Sequence, residues 1–69
     1  MIAFSQRLKI LKNENNLTQI DIAKAIDISL RAYRYYETGE REPTISTVIK
    51  LCEYFNVSSD YLLGLSDKK

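Results

Sequence analysis

Apolar residues Phe4, Leu8 and Leu11 recur at i, i+4 and i+7, with Arg7, Lys9 and Lys12 filling the spaces between them. This spacing predicts an amphipathic helix from about residue 4 to 14. Asn15 and Asn16 end it, since asparagine adopts turn conformations readily. Thr18 followed by Asp21 is a capping-box pattern that starts a second helix, with Ile22, Ala23 and Ile26 as its buried stripe. A turn follows at Asp27, Ile28 and Ser29; Ser29 caps a third helix and Gly39 terminates it. Pro43 sets the next boundary, and Thr44 caps a fourth helix predicted to bury Ile45, Val48, Leu51, Cys52 and Phe55. Asn56 to Ser58 form another turn. Ser58 caps a last short helix that runs to Leu63 and ends at Gly64. No stretch alternates as a strand would, and no repeat or low-complexity segment is present. The pattern predicts an all-α chain of five helices.

The third helix has two characters. At about 100° per residue, Ala32, Tyr33 and Tyr36 fall on one side, and Leu30, Arg31, Arg34 and Tyr35 on the other. The inner side is predicted to bury two tyrosines, while the outer side offers two arginines and a third tyrosine. The unit from Thr18 to Gly39 is two short helices joined by a tight turn. In such a unit the surface met by an outward basic face is most often DNA. Ala23 fits this geometry, because a third helix crossing the second at a steep angle needs a small side chain at the point of approach.

Composition narrows the alternatives. Sixty-nine residues form one domain, residues 1–69, and 45% hydrophobic content with two glycines and one proline is enough for a packed helical core. One cysteine excludes an internal disulfide, and the lack of histidine removes both a Cys/His zinc cluster and a histidine base. Cys52 on the fourth helix reads as core filler. No apolar run nears the roughly 20 residues needed to cross a bilayer, and the N-terminus lacks the pattern of a signal peptide. A cytoplasmic location is therefore expected, with no membrane partner. No acid/base pair or phosphate-cradling glycine loop is evident, so neither an enzyme nor a cofactor or metal is expected. The net charge of +1 predicts weak non-specific affinity for nucleic acid that falls quickly with salt.

Three segments, RLKILKNENNLTQIDIAKAI, SLRAYRYYETGEREPT and YFNVSSDYLLG, carry a specific resemblance over residues 4 to 65. The chain resembles the DNA-binding domain of the phage Cro and lambda-type repressors and their bacterial xenobiotic-response-element relatives. The resemblance implies a compact five-helix lambda-repressor-like domain, with helices two and three (about residues 18–38) as the helix-turn-helix. Two positions depart from the family pattern. Asp27 stands where the turn usually has glycine, and must take a left-handed conformation that aspartate tolerates better than most residues. Tyr33 replaces the usual isoleucine or valine, and its hydroxyl needs a partner.

The family places the third helix in the major groove, which implies base readout here by Leu30, Arg31, Arg34 and Tyr35, within a recognition helix over residues 30–37. Arg31 is suited to donate two hydrogen bonds to guanine, and Leu30 to meet a thymine methyl. Phosphate contacts are implied for Thr18 and Gln19 at the start of the second helix, for Ser29, and for Gly39, Arg41 and Thr44. Glu40 and Glu42 lie in the same loop as Arg41 and oppose that role. Glu37 is implied to pair with Lys12 and fix the recognition helix to the first helix. Tyr61, Leu62 and Leu65 form a C-terminal apolar cluster that either caps the core or serves as a dimer surface. The implied function is a sequence-specific regulator of phage, mobile-element or bacterial origin, expected to be a repressor. It would bind double-stranded DNA at a palindromic operator as a homodimer, with half-sites about 34 Å apart. The alternative reading is a protein-interaction adaptor or antitoxin on the same fold, motivated by the near-neutral charge and by Glu40 and Glu42.

Overall fold

The cap pattern sets the helix boundaries in the computed structural model, which describes residues 2–69. Five helices follow in order: α1 (Ile2–Glu14), α2 (Gln19–Ala25), α3 (Leu30–Thr38), α4 (Ile45–Phe55) and α5 (Ser59–Leu62). Among the described residues there is no strand. Helices α2 to α5 each begin at a serine or threonine whose side chain accepts a backbone N–H of the first turn. Thr18 closes the full box: its Oγ1 accepts the Asp21 N–H at 3.1 Å, and the Asp21 carboxylate accepts the Thr18 N–H at 2.8 Å. That backbone N–H holds the Asp21 carboxyl below its ordinary range.

The turn between α2 and α3 depends on Asp27 in the left-handed region, at φ +58°. An L-residue there is strained, and aspartate is among the few that accept it. The Ile28 N–H bonds to the Ala23 carbonyl at 3.0 Å across this turn, tying the start of α3 to the middle of α2. Ala23 is itself buried beneath it.

Helix α3 packs mainly on α1 and α2, while α5 joins α1 to α4. The core consists of Phe4, Leu8, Leu11, Ile22, Ala23, Ile26, Tyr33, Leu51, Tyr61 and Leu62. Tyr33 is fully enclosed, whereas Tyr36 is half-buried and meets the Phe4 ring edge-on at 6.3 Å. The Ser5 hydroxyl donates to the Tyr36 carbonyl at 2.8 Å, pinning α1 to α3. Two expectations are corrected. Tyr61 and Leu62 are 4% and 0% exposed and belong to the core, so they are not available as a dimer surface; of that cluster only Leu65 stays outside, at 76%. Ile45 is 81% exposed, not buried, because the inner side of α4 is centred on Thr47 and Leu51 and Ile45 lies about 200° around the helix from Thr47.

Candidate nucleic-acid interface

The capped turn presents α3 so that Arg31 and Arg34 are exposed, with Leu30 and Tyr35 half-buried beside them. Thr18, Gln19, Ile20, Leu30 and Arg34 line one shallow groove, which brings candidates for phosphate and base contact onto a single surface. Gln19 connects them directly. Its Oε1 accepts from Arg34 Nε at 3.2 Å, and its Nε2 donates to Glu37 Oε1 at 3.2 Å. Ile20 is 47% exposed in this groove and was missed in the sequence, where nothing but its place next to Gln19 pointed to it.

The same Glu37 oxygen accepts Lys12 Nζ at 2.8 Å. The implied Lys12–Glu37 pair is therefore present, and it is largely enclosed: the side chains are 18% and 8% exposed. Burial alone pushes the Glu37 carboxyl up. The Lys12 ammonium, the adjacent Tyr33 phenol and the Gln19 amide outweigh it and hold the group below the usual carboxylate range. Tyr33 and Glu37 sit one turn apart on α3 and act on each other, since burial and the carboxylate push the phenol well up. Yet the Tyr33 hydroxyl and the second Glu37 oxygen, Oε2, are both buried without a hydrogen bond of good geometry. A chain of four polar residues thus runs from Lys12 on α1 through Glu37 and Gln19 to Arg34 on the outer face.

Tyr35 does more than face outward. Arg31 Nε donates to its hydroxyl at 3.0 Å, and the Arg41 guanidinium stacks on its ring at 4.5 Å from the centroid. The Gly39, Glu40 and Arg41 N–H groups all point to the Tyr35 carbonyl, which brings the loop back onto the end of α3. Gly39 makes this possible at φ +85°. Tyr35, expected as a base reader, also forms a platform for two arginines, a contact that only the i, i+4 spacing of Arg31 and Tyr35 hinted at. Among the described residues, Arg31, Arg34 and Arg41 have no carboxylate within 4.0 Å, while Glu40 and Glu42 are exposed.

The hydroxyls of Thr18, Ser29 and Thr44 are exposed and accept cap hydrogen bonds, which leaves the Thr18 and Ser29 O–H groups to donate, whereas the Thr44 hydroxyl also shares a 3.0 Å hydrogen bond with that of Thr47. Cys52 is half-buried beside the core, and burial pushes its thiol up, which suits packing and not nucleophilic chemistry. Among the described residues no histidine, cysteine and carboxylate group is clustered to hold a metal ion, and no helix is long and apolar enough to cross a membrane.

The family pattern for helix-turn-helix proteins matches residues 8–62, most of the chain. The chain belongs to the helix-turn-helix family. It is 42% identical over 67 residues to the helix-turn-helix-type transcriptional regulator YqaE of Bacillus subtilis, covering 96% of this chain and 58% of that protein. It is 37% identical over 59 residues to the cryptic phage CTXphi transcriptional repressor RstR of Vibrio cholerae, covering 86% of this chain and 53% of the repressor. The chain thus spans little more than half the length of these two relatives. Its fold superposes on the DNA-binding domain of the P22 C2 repressor with a TM-score of 0.81 at 25% identity, covering 96% of this chain and 90% of that domain. The five-helix helix-turn-helix domain is thus of the lambda-repressor type, as its motifs imply.

Proposed function

We propose that this helix-turn-helix chain is the sequence-specific DNA-binding domain of a transcriptional regulator, and that it represses by occupying promoter DNA. The observation that carries this is the outer side of α3, where Arg31 and Arg34 are exposed, unpaired with carboxylates, and held on a helix locked from behind by Glu37. In the major groove Arg31 donates to the O6 and N7 edge of a guanine, and Leu30 contacts a neighbouring apolar group. Gln19, Arg41 and the hydroxyls of Thr18, Ser29 and Thr44 contact phosphates and set the register without reading sequence. No bond is made or broken. The effect is steric, because a polymerase and this domain cannot occupy the same groove. A palindromic operator bound by two copies follows from the half-site spacing that such recognition helices require.

A relative named as a phage repressor supports the repressor reading. The adaptor alternative loses ground on the arginines: a face that keeps three guanidiniums clear of its own carboxylates suits a polyanion. The deciding experiment is selection of bound duplexes from a random pool, followed by salt-controlled binding of variants. Arg31→Ala is expected to relax preference at one base position, and Gln19→Ala to weaken all sequences. A chain that binds no duplex at about 50 mM salt, where electrostatics favour it most, removes the proposal.

A further inference from the structure

Ile20 is 47% exposed in the first turn of α2, and Leu30 is half-buried at the start of α3. Among the described residues, neither belongs to the core or to the apolar groups packed against it; α2 buries Ile22, Ala23 and its cap residue Ile26 instead. Ten positions apart in sequence, Ile20 and Leu30 line one shallow groove with Thr18, Gln19 and Arg34. No carboxylate lines that groove. The adjacent Asp21 carboxylate is occupied at its own helix start, where it accepts the Thr18 N–H at 2.8 Å. Arg34 is engaged only in part. Its Nε donates to Gln19 Oε1 at 3.2 Å, which leaves the two terminal nitrogens of the guanidinium to donate elsewhere. The groove therefore sets apolar surface from two helices beside a cationic donor.

We propose that this groove reads one thymine, with Ile20 and Leu30 against the C5-methyl and Arg34 donating to O4, so that Ile20 on α2 is a specificity-determining residue. This rests on the DNA-binding reading and deepens it, by naming a base and a contact made from outside α3. The choice of base follows from the chemistry of the edges. In the major groove thymine is the base of the four that presents a methyl, and it sets that methyl beside the O4 acceptor. Cytosine presents its N4 amino donor there, which meets the Arg34 guanidinium donor to donor. A cytosine methylated at C5 supplies the methyl but keeps that donor. Uracil keeps the acceptor and lacks the methyl. An apolar knob of a protein suits Ile20 and Leu30 but gives the Arg34 nitrogens no acceptor, whereas a thymine edge answers both. Position agrees as well, since Thr18 and Gln19, proposed to meet phosphates, directly precede Ile20. The isoleucine is thereby placed between a backbone contact and the outer side of α3.

The test uses the 69-residue chain and a duplex it selects from a random pool, with each thymine replaced in turn by uracil, or by 5-methylcytosine paired with guanine. At one position of the site, uracil is expected to weaken the parent about fourfold, the effect of one methyl removed from an apolar contact. At the same position 5-methylcytosine is expected to weaken it about tenfold. In Ile20→Ser the thymine-to-uracil difference is expected to fall below about twofold while the 5-methylcytosine loss remains. Arg34→Ala is expected to do the reverse, relieving the 5-methylcytosine loss and keeping the uracil one. Both residues are exposed, and an unchanged thermal melt confirms the fold of each variant. Independently of any substitution, the parent complex is expected to show a nuclear Overhauser contact between the Ile20 methyls and that thymine methyl. A uracil loss of equal size in Ile20→Ser and parent, or no thymine sensitive to uracil, overturns the inference and leaves the DNA reading standing. So does a 5-methylcytosine loss that Arg34→Ala does not relieve. A chain that binds no duplex at about 50 mM salt removes both, and the groove then falls to a protein partner.

Discussion

The Arg41 guanidinium lies 4.5 Å from the centre of the Tyr35 ring, so a loop residue and an α3 residue share one position on the face proposed to meet DNA. The Tyr35 ring holds Arg41 against α3, and its hydroxyl holds Arg31. Replacing the ring therefore separates two effects that replacing either arginine does not. Tyr35→Leu is expected to lower the slope of log affinity against log salt by about one phosphate contact. Tyr35→Phe keeps the stack, and its effect is expected to be confined to the base that Arg31 is proposed to read. Salt titrations of both variants on one selected duplex make the comparison.

Glu37 predicts an acid-sensitive anchor. Its folded carboxyl is held below the ordinary range, so its contribution to stability is complete above the unfolded value of about 4.3 and is lost as pH falls through the folded value. Urea unfolding of the parent and of Glu37→Gln is expected to differ at pH 7 and to converge toward pH 3. At pH 7, Lys12→Met strands a mostly enclosed carboxylate, and the expected cost is about 1–3 kcal/mol.

The Tyr33 hydroxyl gives a prediction of opposite sign. It is buried without a well-formed hydrogen bond, so removing it removes a desolvation cost while the ring still fills the core. Tyr33→Phe is expected to leave stability unchanged or raise it by up to about 1 kcal/mol. It is also expected to raise the Glu37 pKa, since the phenol helps to hold that carboxylate ionised. Carboxyl NMR titration reads the second effect independently of the first. A fall in stability of several kcal/mol means that the phenol makes a stronger bond in solution.

Gly64 and Gly39 both sit at positive φ and both are tight, but Gly64 is much the more crowded. A Cβ on Gly64 meets the Ala3 Cβ at 2.5 Å, whereas on Gly39 the nearest atom is Ser5 Oγ at 3.3 Å. Gly64→Ala is expected to cost more than Gly39→Ala, by about 1 kcal/mol or more, since both variants share the left-handed penalty. Adding Ala3→Gly to Gly64→Ala is expected to recover the difference. Thermal denaturation of the three variants checks the order.

The starts of α2 to α5 were legible because each carries its own signal: Thr18, Ser29, Thr44 and Ser58 all cap as their sequence context implies, whereas α1 lacks one and begins at Ile2, two residues before its first apolar repeat position. Asp27 was legible too, because the turn needed a left-handed residue and no glycine was available. The Lys12–Glu37 pair came from resemblance alone, since its partners are 25 positions apart and no local rule joins them. Arg41 against Tyr35 was hidden because it depends on the path of the loop. On α4 the three-to-four spacing fits two overlapping stripes, Ile45 with Ile49 and Leu51 with Phe55, and spacing alone does not say which one faces inward. Tyr61 and Leu62 were ambiguous for another reason. In so short a chain the core reaches the last helix, and Arg7 stacks over the Tyr61 ring at 4.2 Å to close it.

The four hydroxyl caps are contacts between residues only three positions apart. Each helix can therefore start without waiting for a distant segment to arrive. Small helical domains rich in such short-range contacts typically fold in microseconds to milliseconds. A domain that assembles this quickly becomes competent almost as soon as it is synthesised, so under the proposed function the pace of any response falls on its production and removal and not on its folding.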